Sequence, residues 1–365
     1  MPKTRILMIG GFLGAGKTTA IARLARQYLN AGKRVAVVTN DQAHGLVDTE
    51  SLRGQGLSVG EVPGACFCCK FDDLVETLVK LEAEQRPDII LTEPVGSCTD
   101  LVATVIEPLR RLHGDRYEVG RLAVLCKPEH GRKILAGGDA AGGFSPKAEY
   151  IFLKQLEEAD IVVVNKVDAL SDADTTRLAA LVGEHSAGKP VLLASGKRGD
   201  GFDELARLLA EPRGPSRAPM DVDYDVYAEG EAELAWLNAT IDVNATGGAM
   251  IDVDRLAVDA VARLADASAA RGDEPAHIKV LGYADGGACV ANLVCSEGPA
   301  ELSLASGQRS AAVRLVVNAR VAGDPEQLAA SLGPALDRVA GTYTYEVTAL
   351  QQFRPGRPRP THRMS

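Results

Sequence analysis

A glycine-rich stretch near the start of the chain has the residue types and spacing of a phosphate-binding loop. Residues 11–18 match the pattern G-x-x-x-x-G-K-[ST] without a gap, after an apolar run and before a helical pattern. In such a loop backbone N–H groups surround the phosphates, Lys17 reaches the β and γ oxygens, and the Thr18 hydroxyl is placed for Mg²⁺. The sequence therefore predicts a site for a nucleoside triphosphate. The candidate ligand residues are Gly11, Gly14, Ala15, Gly16, Lys17, Thr18 and Thr19.

A second pattern, far along the chain, indicates which base the nucleotide carries. The sequence Asn-Lys-Val-Asp at 165–168 follows an apolar run at 161–164. The carboxylate of Asp168 can accept two hydrogen bonds from guanine, one from N1 and one from the exocyclic amine. A further apolar run ends at Ser195, where a short loop would lie under the base. We therefore predict GTP and GDP as ligands, with contacts from Asn165, Lys166, Asp168 and Ser195.

The sequence Glu-Pro-Val-Gly at 93–96 supplies the predicted magnesium ligand. It follows an apolar run at 89–92. In phosphate-loop proteins the acidic residue that closes the strand beside the loop usually holds Mg²⁺, directly or through water. Glu93 has that position, and the N–H of Gly96 is placed to approach the γ-phosphate. Alternatively, Glu93 caps the next helix.

Two residues after the second predicted strand, which covers 34–39, are further candidates. Asp41 is our choice for positioning the attacking water, and with Lys17 and Glu93 it completes the predicted catalytic set for phosphoryl transfer to water. Asp41 and His44 are also candidates for Mg²⁺ or for an open position on a transition metal. Either residue is equally compatible with an ordinary loop.

Three cysteines within four residues form the second chemical signal of the sequence. Cys66, Cys68 and Cys69 can converge only if the chain turns at Cys68, because an extended strand would point Cys69 to the other face. Three thiolates would fill most of a tetrahedral shell around Zn²⁺ or Co²⁺ and leave one position for another ligand. Plain packing and a redox pair are the alternatives.

The remaining cysteines and the composition limit the class of protein. An odd total of seven cysteines argues against a disulfide framework, and Cys98, Cys126, Cys289 and Cys295 are expected to be small buried hydrophobic residues. The formal net charge of −9 argues against nucleic acid as a partner. We find no secretory leader and no apolar run near the roughly 18 residues of a membrane span. The sequence predicts a cytoplasmic protein that does not bind membranes.

Alternating strands and helices must position these residues. Apolar runs near residues 6, 35, 59, 89, 122, 161 and 191 predict a mostly parallel sheet flanked by helices, with the ligand at the carboxyl ends of the strands. Residues 129–146 are expected to be a mobile loop or an exposed insertion. The fold class is thus α/β, with a smaller α+β domain after it.

The 365 residues suggest more than one domain. We expect a phosphate-loop domain at 1–212, a linker at 213–230, a ferredoxin-like β-α-β-β-α-β domain at 231–351, and a disordered basic tail at 352–365. The acidic, aromatic segment 221–236 is read as a linker that packs one aromatic residue, or as a docking arm.

Together, the phosphate loop, the C-x-C-C group, the E-x-x-G strand end and N-K-x-D resemble the CobW-like metallochaperone GTPases. These are relatives of the nickel-insertion GTPases for urease and hydrogenase. The resemblance covers residues 4 to about 210 and implies phosphate and Mg²⁺ binding at Lys17 and Thr18, a Mg²⁺ role for Glu93 and a transition metal at the cysteines. The chain departs from the family in Asn-Asp-Gln-Ala at 40–43, where Asn-Glu-Phe-Gly is common, and in having no histidine-rich run.

The resemblance implies a GTP-driven switch that carries a metal to a client metalloenzyme or cofactor protein, with a homodimer as a further expectation. Nucleotide would order loops at 41–48 and 93–100, and hydrolysis would release them. The alternative is a GTPase that remodels a cofactor-bearing client, such as a corrinoid enzyme, with purely structural cysteines. A small-molecule kinase is disfavoured by the guanine pattern at 165–168.

Overall fold

The computed structural model describes residues 3–41, 47–135, 145–215, 218–293, 298–339 and 343–364. These residues divide into two compact units. The first contains the described residues within Met1–Gln42, Leu57–Gly230 and Arg357–Ser365, and the second those within Ala43–Gly56 and Glu231–Gly356. Each unit has its own main sheet.

Parallel strands form the sheet of the first unit. They are β1 (Thr4–Gly11), β2 (Val35–Asp41), β3 (Ser58–Pro63), β4 (Ile89–Glu93), β5 (Tyr117–Cys126), β6 (Ile161–Val164) and β7 (Val191–Leu193). Near-continuous runs of Val, Ile and Leu suit strands that are buried on both faces of a parallel sheet. Each of the seven predicted apolar runs is a strand, so the predicted parallel sheet is confirmed.

The strand order places the phosphate loop at the reversal point of the sheet. Across the described residues the order is β3-β2-β4-β1-β5-β6-β7. The chain leaves β1 toward one edge for β2 to β4, then crosses to the other side for β5 to β7. In open α/β sheets, ligands bind beyond the carboxyl ends of the strands at such a reversal. The loop after β1 therefore lies where a ligand is expected.

Helices flank this sheet. Up to residue 232 the chain forms the helices α1 (Lys17–Asn30), α2 (Val47–Gly54), α3 (Phe71–Gln85), α4 (Glu107–Leu112), α5 (Pro128–Leu135), α6 (Pro146–Glu158), α7 (Asp172–His185), α8 (Phe202–Ala210) and α9 (Tyr224–Ala232), of which α2 belongs to the second unit. A π-helical segment, Val102–Ile106, leads into α4. Serine N-caps start two of them: Ser145 Oγ accepts from the Ala148 N–H at 3.1 Å, and Ser171 Oγ from the Asp174 N–H at 3.2 Å.

Two segments that were predicted to be loop or linker are helical or packed. The predicted loop at 129–146 is helical in its first part, α5, because Ile134 and Leu135 are buried; residues 136–144 lie outside the described ranges. The predicted linker at 213–230 is held by Arg213, which is buried and pairs with Asp160 at 2.9 Å. Tyr227 of α9 is 1% exposed. The segment is therefore part of the first unit.

Antiparallel strands form the main sheet of the second unit. The strands of this unit are β8 (Leu234–Ala245), β9 (Ile251–Asp252), β10 (Glu274–Ala284), β11 (Gly287–Leu293), β12 (Glu301–Leu304), β13 (Arg309–Ser310), β14 (Ala312–Ala322) and β15 (Tyr343–Phe353). The order in the main sheet is β12-β11-β10-β14-β8-β15. Strands β15, β8, β14 and β10 have the arrangement of the predicted β-α-β-β-α-β sandwich, with β11 and β12 added at one edge.

Three helices complete this sandwich: α10 (Val253–Ala269), α11 (Pro325–Ala330) and α12 (Leu332–Val339). Leu256, Val261 and Leu264 of α10 belong to the core of the unit. Helices α11 and α12 are separated at Ser331, whose hydroxyl donates to the Leu328 carbonyl at 2.6 Å. None of the helices in the described ranges is long and apolar enough to cross a membrane.

Helix α2 lies in the second unit, although the sequence placed it in the phosphate-loop domain. Its first residue, Val47, is fully buried in a cluster with Leu281, Val290 and Val316. Asp48 pairs with Lys279. Asp48 was expected at the end of a nucleotide-ordered loop, and the structure places it in the first turn of α2.

The C-terminal residues also depart from the prediction of a disordered tail at 352–365. Strand β15 continues to Phe353, and the ring of Phe353 lies 5.7 Å from that of Trp236. Residues 357–364 then belong to the first unit. Composition indicated disorder because this stretch is rich in Arg and Pro, but its backbone N–H groups find partners in the first unit, among them Cys68 and Ala103.

Candidate functional site

The phosphate loop requires glycine at two positions. Gly11 has φ +131, and a Cβ there would lie 2.3 Å from the Leu125 carbonyl oxygen. Gly16 has φ +90, and a Cβ would lie 2.5 Å from Asn165 Nδ2. These close approaches shape a loop that opens directly onto the N-terminus of α1 at Lys17. A helix N-terminus preceded by such a loop is a ready anion site.

The predicted magnesium ligands are in contact. The Thr18 hydroxyl donates to Glu93 Oε1 at 3.0 Å. Lys17 is buried, and a Cβ on Gly96 would lie 3.0 Å from its Nζ. A hydroxyl and a carboxylate are the oxygen ligands that Mg²⁺ prefers, so these residues fit the ion. The structure thus brings Lys17, Thr18, Glu93 and Gly96 together at one end of the sheet.

The side-chain amide of Asn165 connects the guanine loop, residues 165–168, to the phosphate loop. Asn165 Nδ2 donates to the Ala15 carbonyl at 2.8 Å, and its Oδ1 accepts from the Gly196 N–H at 3.0 Å. Asn165 therefore positions the two loops rather than acting only as a base contact. Lys166 adopts the left-handed conformation at φ +63, which turns the chain at this point.

Asp168 is held in place by Ser195. The Ser195 hydroxyl donates to Asp168 Oδ1 at 2.5 Å and accepts from the Arg198 N–H at 3.0 Å. Asp168 is half-buried. Ser195 was predicted to contact the base, and in the structure it orients the carboxylate predicted to read guanine. Asp41 closes β2, but its side chain and His44 lie outside the described part of the chain.

The thiol turn, residues 66–69, brings three sulfur atoms together. The N–H groups of Cys69 and Lys70 both donate to the Cys66 carbonyl at 3.0 Å, which produces the turn that the sequence required. The Sγ–Sγ distances are 2.9 Å for Cys66–Cys68, 3.3 Å for Cys66–Cys69 and 3.8 Å for Cys68–Cys69. Among the described residues these three form the compact group able to hold a metal ion.

Asn40 fixes this turn and was not singled out by sequence reasoning. Its Nδ2 donates to the carbonyls of Val62 and Ala65 at 2.7 Å, and its Oδ1 accepts from the Phe67 N–H at 2.8 Å. Asn40 is buried near the end of β2. The signal that could have found it is its position after an apolar run, where a polar side chain must find buried partners.

The three thiols of the turn differ in their pKa values. Hydrogen bonds from Cys68 and Cys69, then from Cys98, hold the pKa of the Cys66 thiol well below its ordinary value. The hydrogen bond to Cys66 raises the pKa of Cys68 well above its ordinary value and that of Cys69 to about 11. Cys66 is therefore the thiol of the group that loses its proton most readily, and a divalent ion must displace protons from Cys68 and Cys69.

Cys98 was predicted to be a buried hydrophobic residue, and its burial is confirmed at 1% exposure. Its hydrogen bond to Cys66 adds a chemical role that its isolated place in the sequence did not indicate. Cys126 and Cys289 are buried as expected, and Cys295 lies outside the described residues. Cys98 belongs to the same segment as Glu93, which places a thiol five residues from the predicted magnesium ligand.

The segment 93–100 is fixed by side chains of α6 and α9. Gln155 Nε2 donates to the carbonyls of Gly96 at 3.0 Å and Cys98 at 2.9 Å. Glu158 Oε1 accepts from the Thr99 hydroxyl at 3.2 Å, and burial raises the pKa of Glu158 to about 8. The Tyr224 hydroxyl donates to Asp100 Oδ2 at 2.7 Å. These bonds hold the far end of the segment that begins at Glu93.

A phosphate loop, a guanine loop and an acidic strand end on one parallel sheet define the class of phosphate-loop nucleotide-binding proteins. The family model described as "CobW/HypB/UreG, nucleotide-binding domain" matches residues 5–192, which is more than half of the chain. The chain belongs to this family.

Individual relatives match part of the chain. It is 32% identical over 206 residues to the zinc chaperone CobW of Sinorhizobium sp, covering 51% of this chain and 57% of the relative. It is 32% identical over 172 residues to the zinc chaperone YeiR of Escherichia coli (strain K12), covering 45% of this chain and 47% of the relative. The chain thus spans about half the length of these curated relatives.

A solved structure of HypB from Helicobacter pylori in complex with nickel covers 57% of this chain and 86% of its own, at 18% identity and a TM-score of 0.42.

Replacing the guanine-reading carboxylate should change base preference. Asp168→Asn should weaken GTP binding by about 2–3 kcal/mol, because charge-assisted hydrogen bonds to guanine are lost. The same variant should bind xanthosine triphosphate more tightly than wild type does. Asp172→Asn, an exposed acid of α7, is the control and should bind GTP as wild type does. Titration with fluorescent nucleotides measures both. Equal affinity of the wild type for ATP and GTP would contradict the assignment.

Metal binding at the thiol turn should strengthen as pH rises. Below their raised pKa values Cys68 and Cys69 keep protons that a divalent ion must displace, so affinity for Zn²⁺ should rise by up to about 100-fold per pH unit across the neutral range. Chelator competition under reducing conditions measures this. In Cys69→Ser the pH dependence should fall by about one proton. A wild-type affinity that does not change with pH would refute the proton assignment.

Proposed function

We propose that this protein is a GTP-hydrolysing metallochaperone that carries a transition metal at Cys66, Cys68 and Cys69 for delivery to a client metalloenzyme. The observation that carries the proposal is the convergence of three sulfur atoms at the same end of the sheet as the phosphate loop. The thiol turn follows β3 and is held by Asn40 of β2, while Glu93 of the adjacent β4 bonds Thr18. The order β3-β2-β4-β1 links the two sites.

The reaction is transfer of the γ-phosphoryl group of GTP to water. Lys17 and the loop N–H groups bind the phosphates, and Thr18 and Glu93 would hold Mg²⁺, which neutralises charge on the phosphate oxygens. Buried surroundings strengthen the attraction between Lys17 and the phosphates. The backbone of Gly96 lies close to Lys17, since a Cβ at this position would be 3.0 Å from Lys17 Nζ. Asp41 remains our choice for positioning the attacking water.

The metal cargo is most consistent with Zn²⁺, and Co²⁺ is the second choice. Three thiolates suit either ion and leave one position of a tetrahedral shell. Relatives of the chain are named zinc chaperones. We propose that this fourth position is left for a ligand of the client, while the thiol of Cys98 stays hydrogen-bonded to Cys66. The client, a homodimer and a cytoplasmic location remain predictions.

A second function is favoured by the burial of the thiols. Cys66 is 3% and Cys68 is 1% exposed, as is typical of a structural metal site with a closed shell. The protein would then be a GTPase that remodels a cofactor-bearing client, and the metal would not be transferred.

Two sets of variants test the proposed function. Lys17→Ala should lower GTP hydrolysis by about 100- to 1000-fold, because one charge stabiliser is lost, and should still bind Zn²⁺. A triple variant with Cys66→Ser, Cys68→Ser and Cys69→Ser should lose Zn²⁺ binding and keep hydrolysis, whereas Cys289→Ala should keep both. Phosphate release and chelator competition are the measurements.

Three outcomes would count against it. GTP hydrolysis that survives in Lys17→Ala would contradict the assignment of the nucleotide site. Zn²⁺ binding that survives in the triple variant would contradict the metallochaperone function. Zn²⁺ that binds wild type but never passes to an apo-metalloenzyme acceptor, with or without GTP, would favour the client-remodelling function.

A further inference from the structure

The C-terminal strap, residues 357–364, lies directly against the thiol turn. The Thr361 N–H donates to the Cys68 carbonyl at 2.8 Å, and the Thr361 hydroxyl to the Cys69 carbonyl at 3.3 Å. The Arg359 N–H donates to the sulfur of Cys69 at 3.1 Å. The strap therefore supplies a hydrogen bond to a candidate metal ligand from a part of the chain 290 residues away.

The strap is anchored at further points within the same unit. Pro358 is buried, and the ring of His362 meets that of Phe71 edge-on at 5.0 Å. Arg357 pairs with Asp225 at 2.9 Å, but this ion pair is exposed and contributes little.

A second group of contacts joins the strap to the segment 93–100. Arg363 Nε donates to Asp100 Oδ2 at 2.7 Å, and Asp100 is 1% exposed. The Met364 N–H donates to the Ala103 carbonyl at 2.8 Å. The strap thus touches both the metal ligands and the end of the segment that starts at the magnesium ligand Glu93.

We propose that the C-terminal strap forms the outer wall of the thiol site: the Arg359 N–H positions Cys69 for the metal, and departure of the strap opens the site for metal exchange. The inference rests on the proposed function for the identity of the cargo, but not for the closure of Cys69. Hydrogen bonds to metal ligands orient them, and their loss typically costs about 10- to 100-fold in metal affinity. Because Arg363 holds Asp100, a nucleotide-dependent change in the segment 93–100 reaches the strap directly.

The residue at 359 allows a sharp test, because only its backbone N–H contacts the sulfur. Arg359→Pro removes this N–H and suits a stretch that already has proline at 358 and 360. Arg359→Ala removes the exposed side chain and keeps the N–H. A chain that ends at Gly356 removes the whole strap, and the far-UV circular dichroism spectrum and its thermal transition serve as the check that each variant is folded.

Two readouts are measured on the full-length protein and on each variant. The first is the rate of Zn²⁺ release to an excess of chelating dye, and the second is the alkylation rate of Cys69 by iodoacetamide without metal, followed by peptide mass spectrometry. Arg359→Pro and the shortened chain should release Zn²⁺ about 10- to 100-fold faster, and Cys69 should be alkylated faster. Arg359→Ala should match wild type in both.

If the folded chain that ends at Gly356 releases Zn²⁺ and is alkylated at Cys69 at the wild-type rates, the proposal that the strap closes the thiol site is overturned. Equal acceleration in Arg359→Ala and Arg359→Pro would overturn the role of the N–H. If wild type binds no Zn²⁺, the proposed function fails, and the alkylation rate still decides whether the strap covers Cys69.

Discussion

The hydrogen bond between the Thr18 hydroxyl and the Glu93 carboxylate connects the parts of the nucleotide site that come from different strands. Thr18 lies in the first turn of α1, which follows β1, and Glu93 ends the neighbouring β4. The same two oxygen atoms are the predicted ligands of Mg²⁺, so binding of the ion there would change this contact. Any such change acts on the first residue of the segment 93–100. The proposed coupling to the metal cargo depends on this geometry.

The segment 93–100 is held firmly at its other end. Asp100 adopts a left-handed conformation at φ +63, which the hydrogen bonds from Tyr224 and Arg363 maintain. Such conformations persist where the surroundings over-determine them, and they are concentrated at functional sites. A short segment that is fixed at Asp100 and hydrogen-bonded to Thr18 at Glu93 can pass a local change along its length, and Cys98 lies between these two ends.

The sequence predicted the parallel sheet and the turn at Cys66–Cys69 because each of their signals is local. The phosphate loop, the guanine loop and the thiol turn are contiguous motifs, and each strand is an uninterrupted apolar run. The contacts that complete the site are not local. Asn40, Cys98 and the strap reach the thiol turn only through the fold, and an isolated residue carries no spacing that would reveal them.

Composition and sequence order gave wrong predictions for two segments whose structure is decided by packing. The Arg- and Pro-rich tail has few apolar residues, yet Pro358 is buried and backbone N–H groups bind Cys68 and Ala103. Helix α2 follows β2 in sequence, but Val47 finds its apolar partners in the second unit. No local sequence pattern shows that α2 belongs to the second unit or that the tail belongs to the first, so the sequence favoured a single domain boundary after residue 212.

The central claim is that nucleotide and metal bias the same structural element, and thermodynamic linkage makes it measurable. Zn²⁺ dissociation constants should be determined by chelator competition for the protein loaded with GDP and with a non-hydrolysable GTP analogue. We predict that they differ by about 5- to 150-fold, and that Zn²⁺ changes the ratio of the two nucleotide affinities by the same factor. Zn²⁺ dissociation constants that are identical in the two nucleotide states would contradict the account.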